Sequence, residues 1–213
     1  MYNEDQVIYD VVRGLKEIFP HILCVDDGSS DNSVIQASNA GARIISHSLN
    51  IGQGGALATG FSWVQKQSRF KQIITFDADG QHSPNDALRL LTFLHEKNLD
   101  VVFASRFLES NQSDIPMMKR VLLRNVARLT QLLTDVQLSD AHNGLRALTS
   151  SASRTINISQ NGMAHATQFV SLAHQANLNY AELPATIIYT NYSKSKGQSI
   201  LNSVNIALDL IWG

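Results

Sequence analysis

Two short stretches hold the residues best suited to do chemistry. "ILCVDDGSSD" (22–31) ends an apolar run in Asp26 and Asp27, and "IITFDADGQH" (73–82) ends another in Asp77 and Asp79. Asp77 and Asp79 stand two positions apart, so in extended backbone their side chains point the same way. An ordinary Asp has a pKa of about 3.9, so both are ionised near neutral pH. They repel each other unless a cation lies between them. Oxygen donors suit Mg²⁺ or Mn²⁺, ions that keep positions open for substrate phosphates. Gln81 can add a carbonyl oxygen and His82 an imidazole. The competing reading is structural: Asp and Ser that close turns and cap the next helix.

The elements around these clusters favour the chemical reading. "ILCV", "ARIISH", "QIITF" and "DVVFAS" read as strands. Between them, "SVIQASNAG", "GGALATGFSWVQKQ" and "SPNDALRLLTFLHEKN" read as helices. Ser83 can cap the third helix, Pro84 fits its first position, and Asp86 complements the positive end of its dipole. This alternation predicts an α/β fold with a mostly parallel sheet and helices on both faces. Ligands of such sheets bind beyond the carboxyl ends of the strands. Both Asp clusters therefore face one crevice. "NIGQGGALATG" lacks the Lys-Ser/Thr of a P-loop, and its glycines predict a tight turn and close packing.

From Pro116 the pattern changes. "PMMKRVLLRNVARLTQLLTDV" reads as a long helix, "MAHATQFVSLAHQAN" as another and "YAELPATIIYT" as a strand. In the tail "SILNSVNIALDLIWG", Ile200, Val204, Leu208 and Ile211 share a helical face. The tail itself has no basic residue, which favours packing on the core or a partner subunit over contact with a membrane surface.

Bulk properties narrow the classes. A chain of 213 residues suits a single domain, and a formal net charge of -1 argues against a broad nucleic-acid-binding surface. The single cysteine, Cys24, predicts a core thiol and a reducing compartment. Neither a secretory leader nor a spanning apolar stretch is evident, which predicts a cytoplasmic protein, at most peripheral to the membrane face.

In order along the chain, "YNE", "VDDGSSD", "NIGQGGALATG", "FDADGQH", "ASRF", "SDAHNGLRAL", "MAHATQ", "AELPATIIYT" and "YSKSKGQS" carry a resemblance. The chain resembles the family 2 glycosyltransferases, inverting nucleotide-sugar-dependent enzymes of the GT-A (Rossmann-like) fold. Within them it is most similar to the dolichyl- and polyprenyl-phosphate sugar transferases and the bacterial cell-surface polysaccharide transferases. The resemblance implies one catalytic domain over 1–213, with a nucleotide-sugar part (1–110) and an acceptor part (111–213). It implies that Glu4 and Asp26 line the nucleotide pocket, with Asp26 or Asp27 near the base. Asp77 marks the junction of nucleotide and metal, and Asp79 and Gln81 ligate Mg²⁺ or Mn²⁺ beside it. Arg106 and Arg120 meet phosphates and, with Asp140, form the catalytic set. Arg146 lines the acceptor side, and Lys196 closes over the diphosphate. The implied partners are a UDP- or GDP-sugar and a lipid-phosphate or glycan acceptor, with no nucleic acid.

Two positions depart from the family pattern. Members carry a strand immediately before "YNE", whereas this chain opens at Met1. A sheet without its first strand is therefore expected, with an exposed edge that invites association, including with a second copy. Relatives also commonly carry a carboxylate where Gln168 stands. Gln cannot act as a general base, which favours an anionic phosphate acceptor unless Asp140 takes that part. These departures motivate an alternative, a non-catalytic transferase domain acting as a partner or scaffold. A nucleotidyltransferase is a third reading, for which the expected Gly-rich basic loop is not seen.

Overall fold

The computed structural model describes residues 1–108, 131, 136–162, 164–188 and 192. Arg120, Lys196, almost all of the long helix expected from Pro116, and the amphipathic tail lie outside the described residues.

The chain opens with α1 (Ile8–Lys16), which buries Ile8, Val12 and Leu15 on one face. The apolar spacing of this segment is helical. Then come β1 (Leu23–Asp26), α2 (Ser33–Asn39), β2 (Arg43–Ser46), α3 (Gln53–Gln65), β3 (Gln72–Thr75), α4 (Pro84–Glu96) and β4 (Val101–Ser105). Each matches a predicted strand or helix. Ser83 caps α4 by accepting a bond from Asn85 N at 3.2 Å, with Pro84 at the first helical position. Asp86 is mostly buried; it pairs with Arg89 at 2.8 Å and accepts from Thr186 N, which joins α4 to a distant loop.

Further along come β5 (Arg146–Thr149), α5 (Ser150–Thr155), α6 (His165–Gln175) and β6 (Tyr180–Pro184). β1 and β2 pair in parallel, as do β4 and β6. β5 runs antiparallel between β3 and β4, giving the order β3-β5-β4-β6 in a four-stranded sheet. A strand from the later part of the chain is thus wedged between two from the first part. "RALT" is not among the strands expected from the sequence: it is short and carries an arginine.

The core lies between this sheet and its helices. Phe103 of β4 meets Phe169 of α6 edge-on, with ring centroids 5.7 Å apart. Leu90, Leu94, Leu145 and Ala147 pack on the other side of the same strands. β4, with a neighbour on each side, is buried along its whole length. β1 and β3, apolar as they are, stay half-buried over most of theirs. Within β1, burial pushes the Cys24 thiol up to about 11, so it stays protonated near neutral pH, as befits a core residue.

Candidate active site

One cleft of about 1400 Å³ runs along the whole of β1 and β3, from Ile22 and Lys71 at their starts to Asp27, Asp77 and Asp79 beyond their carboxyl ends, and Glu4, Gln53, Gln81 and Arg146 also line it. Asp26, Asp140 and Arg106 do not line it.

Asp26 ends β1, buried, and accepts from Ser29 N at 3.3 Å. Asp27 does structural work. It accepts from Ile51 N at 3.0 Å and Gly52 N at 2.8 Å, and its Oδ1 lies 2.8 Å from His47 Nδ1. Burial raises its pKa, but the bonds from His47, Ile51 and Gly52 outweigh that and hold the carboxyl below its usual range. It thereby anchors the start of α3. There Gly52 has φ of +95°, and a Cβ on Gly52 or Gly54 would overlap the backbone of Gln160 and Asn161. The glycine-rich stretch thus serves a tight turn and close packing.

The opening loop is fastened to "GSSD". Asn3 N donates to Ser29 Oγ, Glu4 N to Ser33 Oγ and Asp5 N to Asp31 Oδ2. Sequence reasoning missed this role for Ser29, Asp31 and Ser33. The Glu4 carboxylate accepts from the Tyr192 hydroxyl at 2.9 Å, and both residues line the cleft.

At the end of β3, Asp77 is gripped from several sides. Its Oδ2 lies 3.0 Å from His82 Nε2, and its Oδ1 accepts from Gln53 Nε2 at 3.1 Å. Gly144 comes so close that a Cβ there would overlap the carboxylate. Burial raises the Asp77 pKa, but the His82 bond and the positive surroundings, Arg146 among them, bring it below the usual range. Asp79 is the opposite case: burial first, then the charge of Asp77, raise its pKa. Its Oδ1 accepts from Gln81 N at 3.0 Å, which closes the turn. His82 is buried, and Nε2 holds Asp77 in place.

Beneath Asp77 lies Arg146, 1% exposed. Its guanidinium sits 4.5 Å over the Phe169 ring, and its Nε has no hydrogen-bond partner. Burial lowers it to about 10, with Asp77 and Asp140 pulling the other way, so it stays charged. Burial also pushes His142 and His165 down to about 4, which makes them neutral near neutral pH. Asp140, 3% exposed, accepts from Arg106 Nε at 2.6 Å and Arg106 N at 3.1 Å. Glu182 of β6 fixes that loop by accepting from Ser139 N, Ser139 Oγ and Asp140 N. Nothing in the sequence marked Glu182 beyond its place in "AELP". Gln168 accepts from Ser159 N and Gln160 N at 3.0 and 2.9 Å, clamping the segment on which Gly52 and Gly54 rest.

Among the described residues no group of three His, Cys, Asp or Glu forms a metal cage. The residues present nevertheless fit Mg²⁺ or Mn²⁺. Such ions take one or two carboxylates and complete their shell with water and phosphate oxygens. The crowding that raises Asp79 is the strain a cation would relieve.

The chain belongs to glycosyl transferase family 2, whose family model matches residues 1–156. An uncharacterized protein of Methanocaldococcus jannaschii is 33% identical over 99% of this chain and 88% of its own length. The UDP-N-acetylglucosamine–dolichyl-phosphate N-acetylglucosaminyltransferase of Methanococcus voltae is 28% identical over 99% of this chain and 92% of its own. The fold is shared with Mycobacterium tuberculosis glucosyl-3-phosphoglycerate synthase, solved with Mn²⁺, UDP and glucosyl-3-phosphoglycerate. That match has a TM-score of 0.68 at 14% identity, covering 99% of this chain and 75% of the other.

Two predictions follow from these contacts. Gly144→Ala forces Asp77 aside and costs about 1–3 kcal/mol by overpacking, read by urea denaturation. Asp27→Asn tests the anchor of α3. Because the folded pKa of Asp27 is depressed, its contribution is present above the unfolded value of about 3.9 and fades as pH falls through the folded pKa. The stability gap between the native protein and Asp27→Asn is therefore widest near neutral pH and narrows as pH falls below the unfolded value and through the depressed folded one.

Proposed function

We propose that the protein is an inverting glycosyltransferase that moves a sugar from a UDP- or GDP-sugar to a polyprenyl phosphate, with Mg²⁺ or Mn²⁺ as cofactor. The observation that carries this reading is the Asp77–Asp79 pair, one carboxyl depressed and the other raised, facing a cleft shared with Asp27 and Glu4. Asp79 and Gln81, with Asp77, would hold the cation. When bound, it offsets the negative charge that grows on the departing diphosphate.

In this reading residues 1–110 bind the donor and 111–213 the acceptor. Glu4 and Asp26 line the nucleotide side, and Asp27 acts through the loop it anchors. An acceptor oxygen bonds to the anomeric carbon from the face opposite the diphosphate. The carbon–oxygen bond to the diphosphate breaks, and the nucleoside diphosphate leaves. Arg106, oriented by Asp140, meets a phosphate, a task suited to its planar fork. Arg120 and Lys196 take the remaining phosphate contacts, and Arg146 supports the site from below.

The choice of acceptor rests on where a base would have to come from. A hydroxyl acceptor needs one, whereas a phosphate is already anionic. Asp140 is bonded to Arg106 through two donors, and the Gln168 carboxamide is bonded to Ser159 and Gln160. The Methanococcus voltae relative, named for a dolichyl-phosphate acceptor, supports the same choice. Among the described residues no helix is long and apolar enough to cross a membrane. In this reading the reaction takes place at the cytoplasmic membrane face, the protein meeting its lipid acceptor peripherally.

The test is thermal unfolding with a panel of UDP- and GDP-sugars, with and without Mn²⁺. Ligand at about a hundred times its Kd adds about 2.7 kcal/mol, a shift of several degrees. One donor with Mn²⁺ should raise Tm, and Asp79→Asn should remove most of that rise. A panel without any shift contradicts the reading.

A further inference from the structure

A second, smaller cavity of about 310 Å³ lies at the amino end of β3, lined by Ser68, Phe70, Lys71, Ser150, Ser151 and Arg154. Phe70 and Lys71 also border the main cleft. At about 3.3 Å per extended residue, the six positions from Lys71 to Asp77 span about 20 Å, so this cavity is remote from the acidic pair.

The fold builds its two walls together. β3 and β5 pair antiparallel from Gln72↔Thr149, and Ser150 N donates to Lys71 O at 2.8 Å, which sets Lys71 against Ser150 one step further out. α5 begins at that serine, and helical spacing returns Arg154 to the same face. Arg154 Nη1 donates to Ser150 Oγ at 3.3 Å. The Ser151 hydroxyl lies 2.9 Å from that of Thr149. Ser150 is buried, while Lys71, Ser151 and Arg154 stand exposed around the opening.

The charge of the cavity is one-sided. Lys71 and Arg154 bring two cations, and no carboxylate lines it. Neither cation takes part in an ion pair among the described residues. Asp100, whose carbonyl accepts from Thr149 N, turns its carboxylate to Asn179 N at 2.9 Å, on the β6 side of β4. The adjoining stretch "KQSRFK" (66–71) holds three cations and no acid, in a chain of formal net charge -1. One of them, Arg69, lies 4.8 Å over the Phe70 ring. An anion between like charges relieves their repulsion. A lysine point charge, an arginine fork and serine hydroxyls together make a donor set for a phosphoryl group. The volume suits a small ligand.

We propose that this cavity is an anion site that takes the phosphate of a phosphate monoester. The phosphate lies between Lys71 and Arg154, with the hydroxyls of Ser68 and Ser151 donating to it, and so ties α5 to the start of β3. The ester is either a soluble metabolite or the headgroup of a lipid. The site owes nothing to the transferase reading, since it uses none of the residues placed in the cleft's chemistry.

The experiment follows backbone amide shifts of the 213-residue chain as glycerol 3-phosphate is added, without metal and at constant ionic strength. Saturable shifts should centre on Lys71, Ser151 and Arg154 and leave Asp77 and Asp79 unmoved. Lys71→Gln and Arg154→Gln should each weaken binding about threefold to tenfold, and the double variant should abolish it. Ser151→Asp puts a carboxylate into the cavity at a helix start that favours one, and should also abolish binding; it keeps the test decisive if the double variant does not fold. Lys66→Gln, outside the cavity, should change nothing. Co-sedimentation with phosphatidylcholine vesicles, with and without phosphatidic acid, separates the two sources. Retention by phosphatidic acid that the double variant loses identifies a lipid headgroup. Glycerol 3-phosphate binding without such retention identifies a soluble ester. Absence of a saturable shift, shifts centred on Asp77 and Asp79, or equal weakening by Lys66→Gln and Lys71→Gln overturns the proposal.

Discussion

The close approach of Gly144 to the Asp77 carboxylate is the constraint around which this structure is arranged. It is made possible by the missing side chain at residue 144, and it brings the entry of β5 against the end of β3. Thr75 reinforces it by donating to Gly144 O at 2.7 Å. Two residues further on, Arg146 carries its charge into the interior under the same carboxylate. A buried guanidinium is tolerated only where opposite charge and a polarisable surface replace water. Asp77, Asp140 and the face of Phe169 supply these. The antiparallel insertion of β5 between β3 and β4 thus sets the charge balance of the site.

That balance is uneven between two carboxylates. Asp77 has His82 within hydrogen-bond distance and the charge of Arg146 acting on it. Asp79 has its carboxyl pushed up by burial and by its neighbour. In the function proposed above, a cation in the cleft balances the second. An exchangeable cation arriving with a diphosphate suits such a division, because it is held only while its partner is bound.

Much of this was legible in the sequence, for reasons of range. Ser83-Pro84 announces α4 because capping is local. The Asp-ended strands stand out because a change from apolar to acidic over two residues is visible without a partner. The contacts that make the site were not legible, because they join residues far apart in the chain. Asp27 meets Ile51 and Gly52, Glu182 meets Ser139 and Asp140, and Gln168 meets Ser159 and Gln160 across a loop. β5 was hidden for the same reason, since its buried arginine is intelligible only beside Asp77 and Phe169. α1 was there to be read: Ile8, Val12 and Leu15 carry the helical period.

β1 and β3 stay half-buried over most of their length. The ends of those strands carry the acidic clusters, so sheet continuity and site geometry are linked. The central claim is that Asp77 and Asp79 form an open cation site completed by a diphosphate. Crystals grown with Mn²⁺ and UDP or GDP test it most directly, through anomalous scattering at the manganese edge. The account predicts one peak within coordination distance of an Asp79 oxygen and of a diphosphate oxygen. Nucleotide in the cleft with no peak there, or a peak bound only elsewhere, would contradict it.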